Sequence, residues 1–400
     1  MAILNQDSYF YLETHNNRYA IAPEPSVRQH GGWPGTAVRN WDDKDYWYVE
    51  FINGDAFYHH PIEKLAGPEM YGRIKSGEVT LCISHLHEAY HYVIEDIYND
   101  VVVASGIDPA NILYLTNSAD IDKEIVAISS KLNLPKIKSE FISLFELVAK
   151  HELLSRKDEY ASNTLDKTTY DKKFICLNGL WRPHRLLTVS LLEALSVRSN
   201  GYVSLNACVC DYPSMDEMFP EMLKWCVNSE DATQLLLSNE NVVKTLDKLY
   251  IDTDNSTIHW HGAVYHSLHK RYYENTYFSI VTETLCSPEF SAGGNTIGRA
   301  ISEKTFKPML HSHPFMIVGV PGVLRLLKKL GYKTFSPMID ESYDDELDAS
   351  KRCFMIAKEA ERLSNLKDNE LQVFLNSCKP IVEYNLNVLG SKETFAHHMT

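Results

Sequence analysis

Short apolar runs alternate with stretches of helical apolar spacing along most of the chain. The runs typical of buried strands are 45–52, 78–85, 111–118, 172–179, 201–207, 276–284 and 313–319. The stretches with helical spacing are 88–106, 120–134, 141–155, 186–199, 302–312, 322–331 and 348–386. Strands that alternate with helices at these distances predict right-handed βαβ units and mostly parallel sheets, and therefore an α/β fold.

The alternation is interrupted once, at residues 156–172, which are polar and aperiodic. A chain of 400 residues exceeds the size of one ordinary hydrophobic core, so two domains are expected. The predicted division is an N-terminal α/β domain over 1–165, a C-terminal α/β domain over 170–375, and a helical tail over 376–400. Each α/β domain is expected to have its own sheet, because the strand–helix pattern restarts after the polar segment.

Local signals indicate where several elements end. Gly106 and Gly331 follow helical stretches and suit the left-handed position after a helix. Ser302 is placed to cap a helix N-terminus, and Pro308 predicts a kink or an early stop in that helix. Residues 28–41 contain paired glycines and a Pro-Gly turn signal, so we expect a loop there.

Composition excludes some classes of protein. The apolar content of 44% and the charged content of 23% are ordinary for globular domains, and the net charge of −14 argues against a protein that coats nucleic acid. No apolar run is long enough to span a bilayer, and no secretory signal opens the chain. Cys82 and Cys176 lie in apolar runs and are expected to be buried free thiols, while Cys208 and Cys210 lack a second pair for zinc. A cytoplasmic protein is the expectation.

Cationic residues follow the strand predicted at 172–179. The strand ends at Asn178, and Arg182, His184 and Arg185 occupy the turn into the next helix. Ligands of open α/β sheets bind at the carboxyl ends of strands, where helix N-termini favour phosphate. Two guanidinium groups there suit a diphosphate, although loop charges that contact only solvent are the alternative.

A second polar cluster follows the strand predicted at 276–284. That strand ends with Thr282 and Glu283, and Ser302, Glu303 and Lys304 open a short helix further along. A carboxylate at a helix start can accept both hydroxyls of a ribose, and the adjacent lysine can meet a phosphate. The alternative is a capped helix in which Glu303 only complements the helix dipole.

Residues 87–91 read His-Glu-Ala-Tyr-His, a motif that can ligate zinc on a helix. His87 and His91 would be ligands and Glu88 the general base. The extended form of the motif needs Gly at 94 and His at 97, and both positions are Ile. A rim position facing an acceptor is the other interpretation for His87 and Glu88, and it is the one we favour.

Two further polar segments have simpler interpretations. His259, His261, His266 and His269 could ligate a metal, but no Cys or carboxylate partner stands at a recognisable spacing. We expect a partly exposed polar segment and no metal site. The acidic run 340–348 is expected to be a solvated loop that opens the last helical region.

The C-terminal motifs resemble a known family. KFICLNGLWRPHRLLTVSLLEALS resembles the strand–Arg–helix block of the α1,3-fucosyltransferases. YFSIVTET and SEKTFKPMLHSHPFMIVG are similar to a second block, which exostosin-type transferases share in looser form. The closest likeness is to a less characterised group of glycosyltransferase-like proteins from tailed phages and marine bacteria, and it covers about 171–365.

The resemblance implies a GT-B glycosyltransferase, in which two Rossmann-like α/β domains face a cleft. It also implies a uridine- or guanosine-diphosphate sugar as donor and no obligatory metal or other cofactor. It implies that Arg185 and Arg182 bind the donor phosphates, Glu303 the ribose and Lys304 a phosphate. The general base would come from the N-terminal domain, with Glu88 as the candidate. The complete predicted donor site consists of Arg182, His184, Arg185, Thr282, Glu283, Ser302, Glu303 and Lys304.

The sequence also departs from the fucosyltransferase pattern. Glu-Asn in that family is Glu283-Thr284 here, so the sugar is left open. The acceptor is expected to be a surface glycan or, given the likeness to phage proteins, a hydroxymethylated DNA base. A zinc metallopeptidase and a non-catalytic module that binds glycans or nucleotides are the two alternatives.

Overall fold

The structure is a computed structural model. It describes residues 10–13, 18–21, 35–41, 44–50, 61–86, 92–155, 170–179, 181–205, 214–246, 249, 270–288 and 298–391. The chain divides into two α/β units. Unit 1 comprises Met1–Leu147, Gly293–Ala300 and Lys392–Thr400, and unit 2 comprises Val148–Ala292 and Ile301–Ser391.

Unit 1 contains a two-stranded antiparallel sheet and a five-stranded sheet of order β3-β4-β5-β6-β7. Its strands are β1 (Phe10–Glu13), β2 (Arg18–Ile21), β3 (Gly35–Trp41), β4 (Lys44–Glu50), β5 (Val79–His85), β6 (Ile112–Thr116) and β7 (Lys138–Phe141). β3 is antiparallel to β4, and β4 to β7 are mutually parallel. All five residues of β6 are buried, which fits a central strand covered on both faces.

The helices of unit 1 connect strands that are neighbours in the sheet. They are α1 (Ile62–Ser76), α2 (Tyr92–Asp96), which continues as a π-helix (Ile97–Ala104), and α3 (Ile121–Leu132). Right-handed crossovers that all step in one direction place these helices on one face of the sheet. Alternate residues of β5, namely Val79, Leu81 and Ile83, pack in that core with Ile97 and Ile125 of the helices.

The short segment 298–300 belongs to unit 1 because it binds the start of α3. Arg299 donates through Nε and Nη2 to the two carboxylate oxygens of Asp120, at 2.7 and 2.6 Å. The Ala119 amide donates to the Arg299 carbonyl at 2.9 Å. This two-point ion pair lowers the pKa of Asp120 to about 2, even though burial opposes the shift.

Unit 2 contains a parallel four-stranded sheet of order β11-β10-β8-β9. Its strands are β8 (Phe174–Cys176), β9 (Gly201–Val203), β10 (Phe278–Thr282) and β11 (Phe315–Val318). β8 and β10 are central and buried along their whole length.

Two layers of helices flank this sheet. After α4 (Leu144–Ser155), which spans the division between the units, the helices are α5 (Pro183–Ala194), α6 (Met215–Trp225), α7 (Glu230–Ser238), α8 (Glu240–Val243), α9 (Lys270–Glu274), α10 (Glu303–Leu310), α11 (Val323–Lys329), α12 (Ala349–Ser364) and α13 (Asp368–Gly390). α5 packs against α7 and α12, whereas α10 packs against β10 and α13. Among the described helices, none is both long and apolar enough to cross a membrane.

The α/β class and the parallel sheets agree with the sequence prediction. Gly106 and Gly331 have positive φ directly after helices, and the Ser302 side chain caps α10, as predicted. Pro308 lies inside α10, and the helix ends two residues later. The predicted buried thiols, Cys82 and Cys176, are buried and unbonded to other sulfurs.

Three local predictions were wrong or incomplete. The loop expected at 28–41 contains strand β3, and strand β7 and helix α1 were not predicted. The division between the units falls inside α4, before the polar segment 156–172. The helix predicted over 88–106 has its second half in π-helical form, and its residues before Tyr92 lie outside the described part of the chain.

Candidate functional site

The winding of the chain in unit 2 reverses between β8 and β10. β8 leads through α5 to β9 on one side, and β10 leads through α10 to β11 on the other side. Carboxyl-end loops separate at such a reversal, and they leave a crevice that is the usual ligand site of open α/β sheets. Both clusters of polar residues predicted from sequence follow these two strands.

The first turn of α5 is bound to the end of β10. Arg182 precedes the helix with extended backbone, and Pro183 occupies the first helical position. The Nε2 atom of the buried His184 lies 2.8 Å from the Glu283 carbonyl oxygen. The Arg185 side chain is 3% exposed, and its Nη2 atom donates to the carbonyls of Thr282 and Glu283 at 3.4 and 3.3 Å.

Burial determines the charge of these two side chains. It lowers the pKa of His184 to about 3, and the neighbouring Arg185 cation adds to the shift. A neutral His184 therefore donates its Nε2 proton to the Glu283 carbonyl. Burial and then Arg182 lower the pKa of Arg185 to about 10, so Arg185 is still a cation at neutral pH.

An asparagine joins the carboxyl ends of three strands. Asn178 donates from its side-chain amide to the Ser204 carbonyl at 2.8 Å and accepts from the Thr282 hydroxyl at 2.7 Å. Its backbone amide donates to the Ser204 hydroxyl at 3.0 Å. These bonds tie the ends of β9, β8 and β10 together beneath the crevice.

Arg352 on α12 plays a similar role and was not predicted from sequence. Its buried guanidinium donates to the carbonyls of Gly319 and Cys286, at 2.8 and 2.7 Å. These carbonyls follow β11 and β10, so Arg352 holds together the two loops that leave these strands. A single arginine in an amphipathic helix gives no sequence signal for this role.

The Glu283 carboxylate organises the start of α10. Its Oε1 atom accepts from the Ser302 amide at 3.1 Å and from the Thr305 hydroxyl at 2.6 Å. Its Oε2 atom accepts from the Ser302 hydroxyl and from the Thr284 amide. The Glu283 side chain is therefore bonded to its own chain at the start of α10.

Glu303 and Lys304 occupy the first turn of α10 and stay partly exposed. Their side chains are 15% and 27% exposed, and Lys304 Nζ donates to Glu303 Oε1 at 2.5 Å. Lys304 Nζ also donates to the Thr284 hydroxyl at 3.1 Å. Lys304 and Arg185 therefore contact the consecutive residues Thr284 and Glu283.

The charges around α10 are strongly coupled. Burial alone would raise the pKa of Glu303, but Lys304 and Lys307 outweigh it and lower that pKa to about 2. Burial lowers the pKa of Lys307 to about 8, against the opposing effect of Glu303. At neutral pH the Glu303 carboxylate is thus ionised, and the positive charges of Lys304 and Lys307 stabilise it.

The groups at this edge of the sheet are chemically suited to bind an anion. Two helix N-termini contribute positive dipole ends, although the Ser302 amide of α10 is already bonded to Glu283, and arginine and lysine side chains add full charges. The Glu303 carboxylate can accept hydroxyl groups beside a bound phosphate. A phosphorylated ligand that also carries hydroxyls fits both features.

Several other residues singled out in the sequence are not described by the structure. His87, Glu88, His91, Cys208, Cys210 and the four histidines of 259–269 lie outside the described residues. Within the described ranges, no three His, Cys, Asp or Glu side chains form a candidate metal cluster.

The acidic run 340–348 differs from its prediction. It does open a helix, since the Asp348 side chain caps α12. The expectation of a solvated loop is wrong for Tyr343 and Asp344, which are buried. The Asp344 carboxylate accepts from the first two amides beyond Val323 in α11, at 2.9 and 3.2 Å, so it serves as a helix cap.

Comparison with known proteins gives little. No protein-family profile and no curated protein matches the chain. Among solved structures, it is similar to the N-terminal domain of Candida albicans trehalose-6-phosphate phosphatase, at 9% identity and a TM-score of 0.36. The match covers 78% of this chain and 64% of that chain, which is less than two thirds of it. A similarity this weak assigns no function.

Proposed function

We propose that the protein is a glycosyltransferase whose second unit binds a nucleoside-diphosphate sugar, in a GT-B arrangement with unit 1 on the acceptor side. One observation carries the donor part of the proposal. Cations and two helix N-termini meet where the winding of the second sheet reverses, and all of them favour a diphosphate. The transferase part rests on the resemblance of these same segments to α1,3-fucosyltransferases.

The exposure of each side chain determines which part of the donor it is proposed to bind. Arg182, which is half-buried, and Lys304 bind the diphosphate directly, while the buried Arg185 adds positive charge beneath it. Glu303 accepts the ribose hydroxyls. When the glycosidic bond to the sugar breaks, negative charge grows on the leaving diphosphate, and fixed cations stabilise that charge.

The acceptor is a hydroxyl group of a surface glycan or of a hydroxymethylated DNA base. A carboxylate or imidazole must take its proton during attack on the anomeric carbon. Glu88 and His87 are the proposed candidates. Both stand just after strand β5, the position at which loops of a parallel sheet carry functional groups.

Calorimetric titration with uridine and guanosine diphosphates and their sugar conjugates tests the donor site. We expect Lys304→Gln to weaken binding about tenfold to a hundredfold, the loss of one charge-assisted hydrogen bond. Lys224→Gln is the matched control because Lys224 forms an exposed ion pair with Glu221 on α6. A wild-type protein that binds none of these nucleotides, or an equal loss in the control, contradicts the proposal.

Two further measurements separate the alternatives. Stoichiometric zinc that disappears in His87→Ala would favour the metallopeptidase. Tight donor binding, with no sugar transferred to glycans or to hydroxymethylated DNA, would indicate a binding module.

A further inference from the structure

Glu283 was predicted from sequence to bind the donor, but its carboxylate has no capacity left for a ligand. An ionised carboxylate offers about four acceptor positions on its two oxygens. Ser302 fills two of them through its amide and hydroxyl, and Thr305 and Thr284 fill the others. The side chain is 3% exposed, so a ribose hydroxyl could bind only by displacing one of these donors.

The backbone of the same residue holds the opposite side of the crevice. The Glu283 carbonyl accepts from His184 at 2.8 Å and from Arg185 at 3.3 Å, both in the first turn of α5. One residue thus connects the two helix N-termini that flank the reversal, α5 through its carbonyl and α10 through its carboxylate.

The loop after β11 is packed against this connection. Gly319 lies so close that a Cβ atom built on it would be 3.5 Å from Glu283 Cβ and Cγ, and 3.3 Å from a methyl group of Ile317. The Glu283 side chain is therefore adjacent to the loop after β11, and its four hydrogen bonds hold it in place.

We infer that Glu283 is a positioning residue of the donor site: its carboxylate orders the first turn of α10 so that Glu303 and Lys304 face the diphosphate, and it does not touch the ligand. The inference rests on the proposed function. It transfers the ribose contact to Glu303 alone, and it assigns Ser302 and Thr305 to the same supporting framework.

Comparing a nucleoside diphosphate with inorganic pyrophosphate distinguishes the two roles. A residue that binds ribose affects only the nucleotide, because pyrophosphate has no ribose. A positioning residue affects both ligands by the same factor, because it acts through Lys304 and the helix N-terminus. We therefore expect Glu303→Gln to weaken the nucleoside diphosphate relative to pyrophosphate. Pyrophosphate should bind at least as well as to the wild type, because the variant frees Lys304 from its ion pair with Glu303.

For the Glu283 variants we expect the affinities for both ligands to fall by the same factor, and to fall further in Glu283→Ala than in Glu283→Gln. In Glu283→Gln one oxygen can still accept from Ser302 and Thr305, so both ligands should weaken by about threefold to tenfold. Glu283→Ala removes every acceptor, and both should weaken by about tenfold to a hundredfold, in line with the usual worth of hydrogen bonds to a charged group. A Glu283→Gln variant that loses nucleoside diphosphate and keeps pyrophosphate overturns the inference.

Glu341→Gln is the matched control. Glu341 also lies in unit 2, where its carboxylate accepts from the Thr334 hydroxyl and from the amides of Phe335 and Ser336. This variant should lower stability and leave both affinities unchanged. Equal weakening in the control would assign the effect of Glu283 to general destabilisation and would also overturn the inference.

Hydrogen exchange without ligand separates failure of this inference from failure of the proposed function. The Ser302 amide should exchange faster in Glu283→Ala, which removes its acceptor, and at the wild-type rate in Glu341→Gln. If the wild type binds neither nucleotide nor pyrophosphate, the proposed function fails, and the exchange result still decides whether Glu283 orders α10. Unchanged exchange at Ser302 contradicts that role.

Discussion

Among the described residues of unit 2, three histidines are buried, and they should make its stability fall steeply between pH 7 and pH 5. Burial lowers the pKa of His184 and of His311 to about 3, and that of His313 to about 4. His313 lies between Ser279, 2.7 Å from Nδ1, and the Thr276 carbonyl, 2.9 Å from Nε2. His311 stacks on the Tyr273 ring at 4.2 Å.

The sign and size follow from proton linkage. The folded-state pKa values lie below the ordinary value of 6.5, so the unfolded chain binds protons first as the pH falls. The unfolding free energy of unit 2 is therefore at its full value above about pH 6.5. Below that pH it falls by roughly 1.4 kcal/mol per histidine for each pH unit, until the folded-state pKa is reached. At pH 5 each histidine has lowered the unfolding free energy by about 2 kcal/mol, and the three together have lowered it by about 6 kcal/mol.

This loss of unfolding free energy depends little on the exact folded-state pKa of each histidine. Any value of 4 or below leaves the folded state almost unprotonated at pH 5, so the ordinary pKa of the unfolded chain sets the cost. A loss of about 6 kcal/mol is comparable to the whole stability of many domains.

Hydrogen exchange of the β10 and β11 amides, measured across a urea series at both pH values, reports the unfolding free energy of unit 2. His311→Gln should reduce the pH-dependent part of that free energy by about 2 kcal/mol, whatever it does to stability at pH 7. A wild-type loss below about 2 kcal/mol, or the same pH dependence in the variant, would refute the reasoning.

Two further predictions concern carboxylates that fix local structure. Arg299→Ala should destabilise unit 1 by about 1–2 kcal/mol at pH 7, since it removes a two-point ion pair with Asp120. The folded pKa of Asp120 is depressed to about 2, so this difference is present above pH 4 and should disappear as the pH falls towards 2; a pH-independent difference in urea unfolding contradicts the ion pair. Asp344→Ala should lower the unfolding free energy of unit 2 by about 1–2 kcal/mol, because α11 loses its cap. Asp345→Ala, at the exposed neighbouring residue, should lower it by less than about 0.5 kcal/mol. Equal urea midpoints for these last two variants would exclude the capping role.

The strands that the sequence predicted best are those buried on both faces. β6 (Ile112–Thr116) is an uninterrupted apolar run because neighbouring strands and packed layers surround it. β3 (Gly35–Trp41) pairs only with β4 in the described sheet, and Arg39 and Asn40 interrupt its apolar character. β7 (Lys138–Phe141) is at the other edge and carries charged residues, so neither edge strand has a distinctive pattern.

In the candidate site, the sequence indicated positions better than roles. Ser302 was predictable because a helix cap depends on its own next few residues. Arg185 was predictable as a polar residue after a strand, but its burial was not. The roles of Asn178 and Glu283 depend on partners 104 and 19 residues away, respectively, and no local pattern shows whether a side chain faces a ligand or amides of its own chain.

The reversal between β8 and β10 also has a consequence for folding. Pairing β8 with β9 closes a loop of roughly 25 residues, while pairing β8 with β10 closes one of roughly 100, at an extra entropy cost of about 1 kcal/mol. Pairings between distant segments form slowly. The crevice is therefore expected to be the last part of unit 2 to assemble, and a chain halted midway would carry the β8–β9 pair without the strand that forms the other side of the reversal.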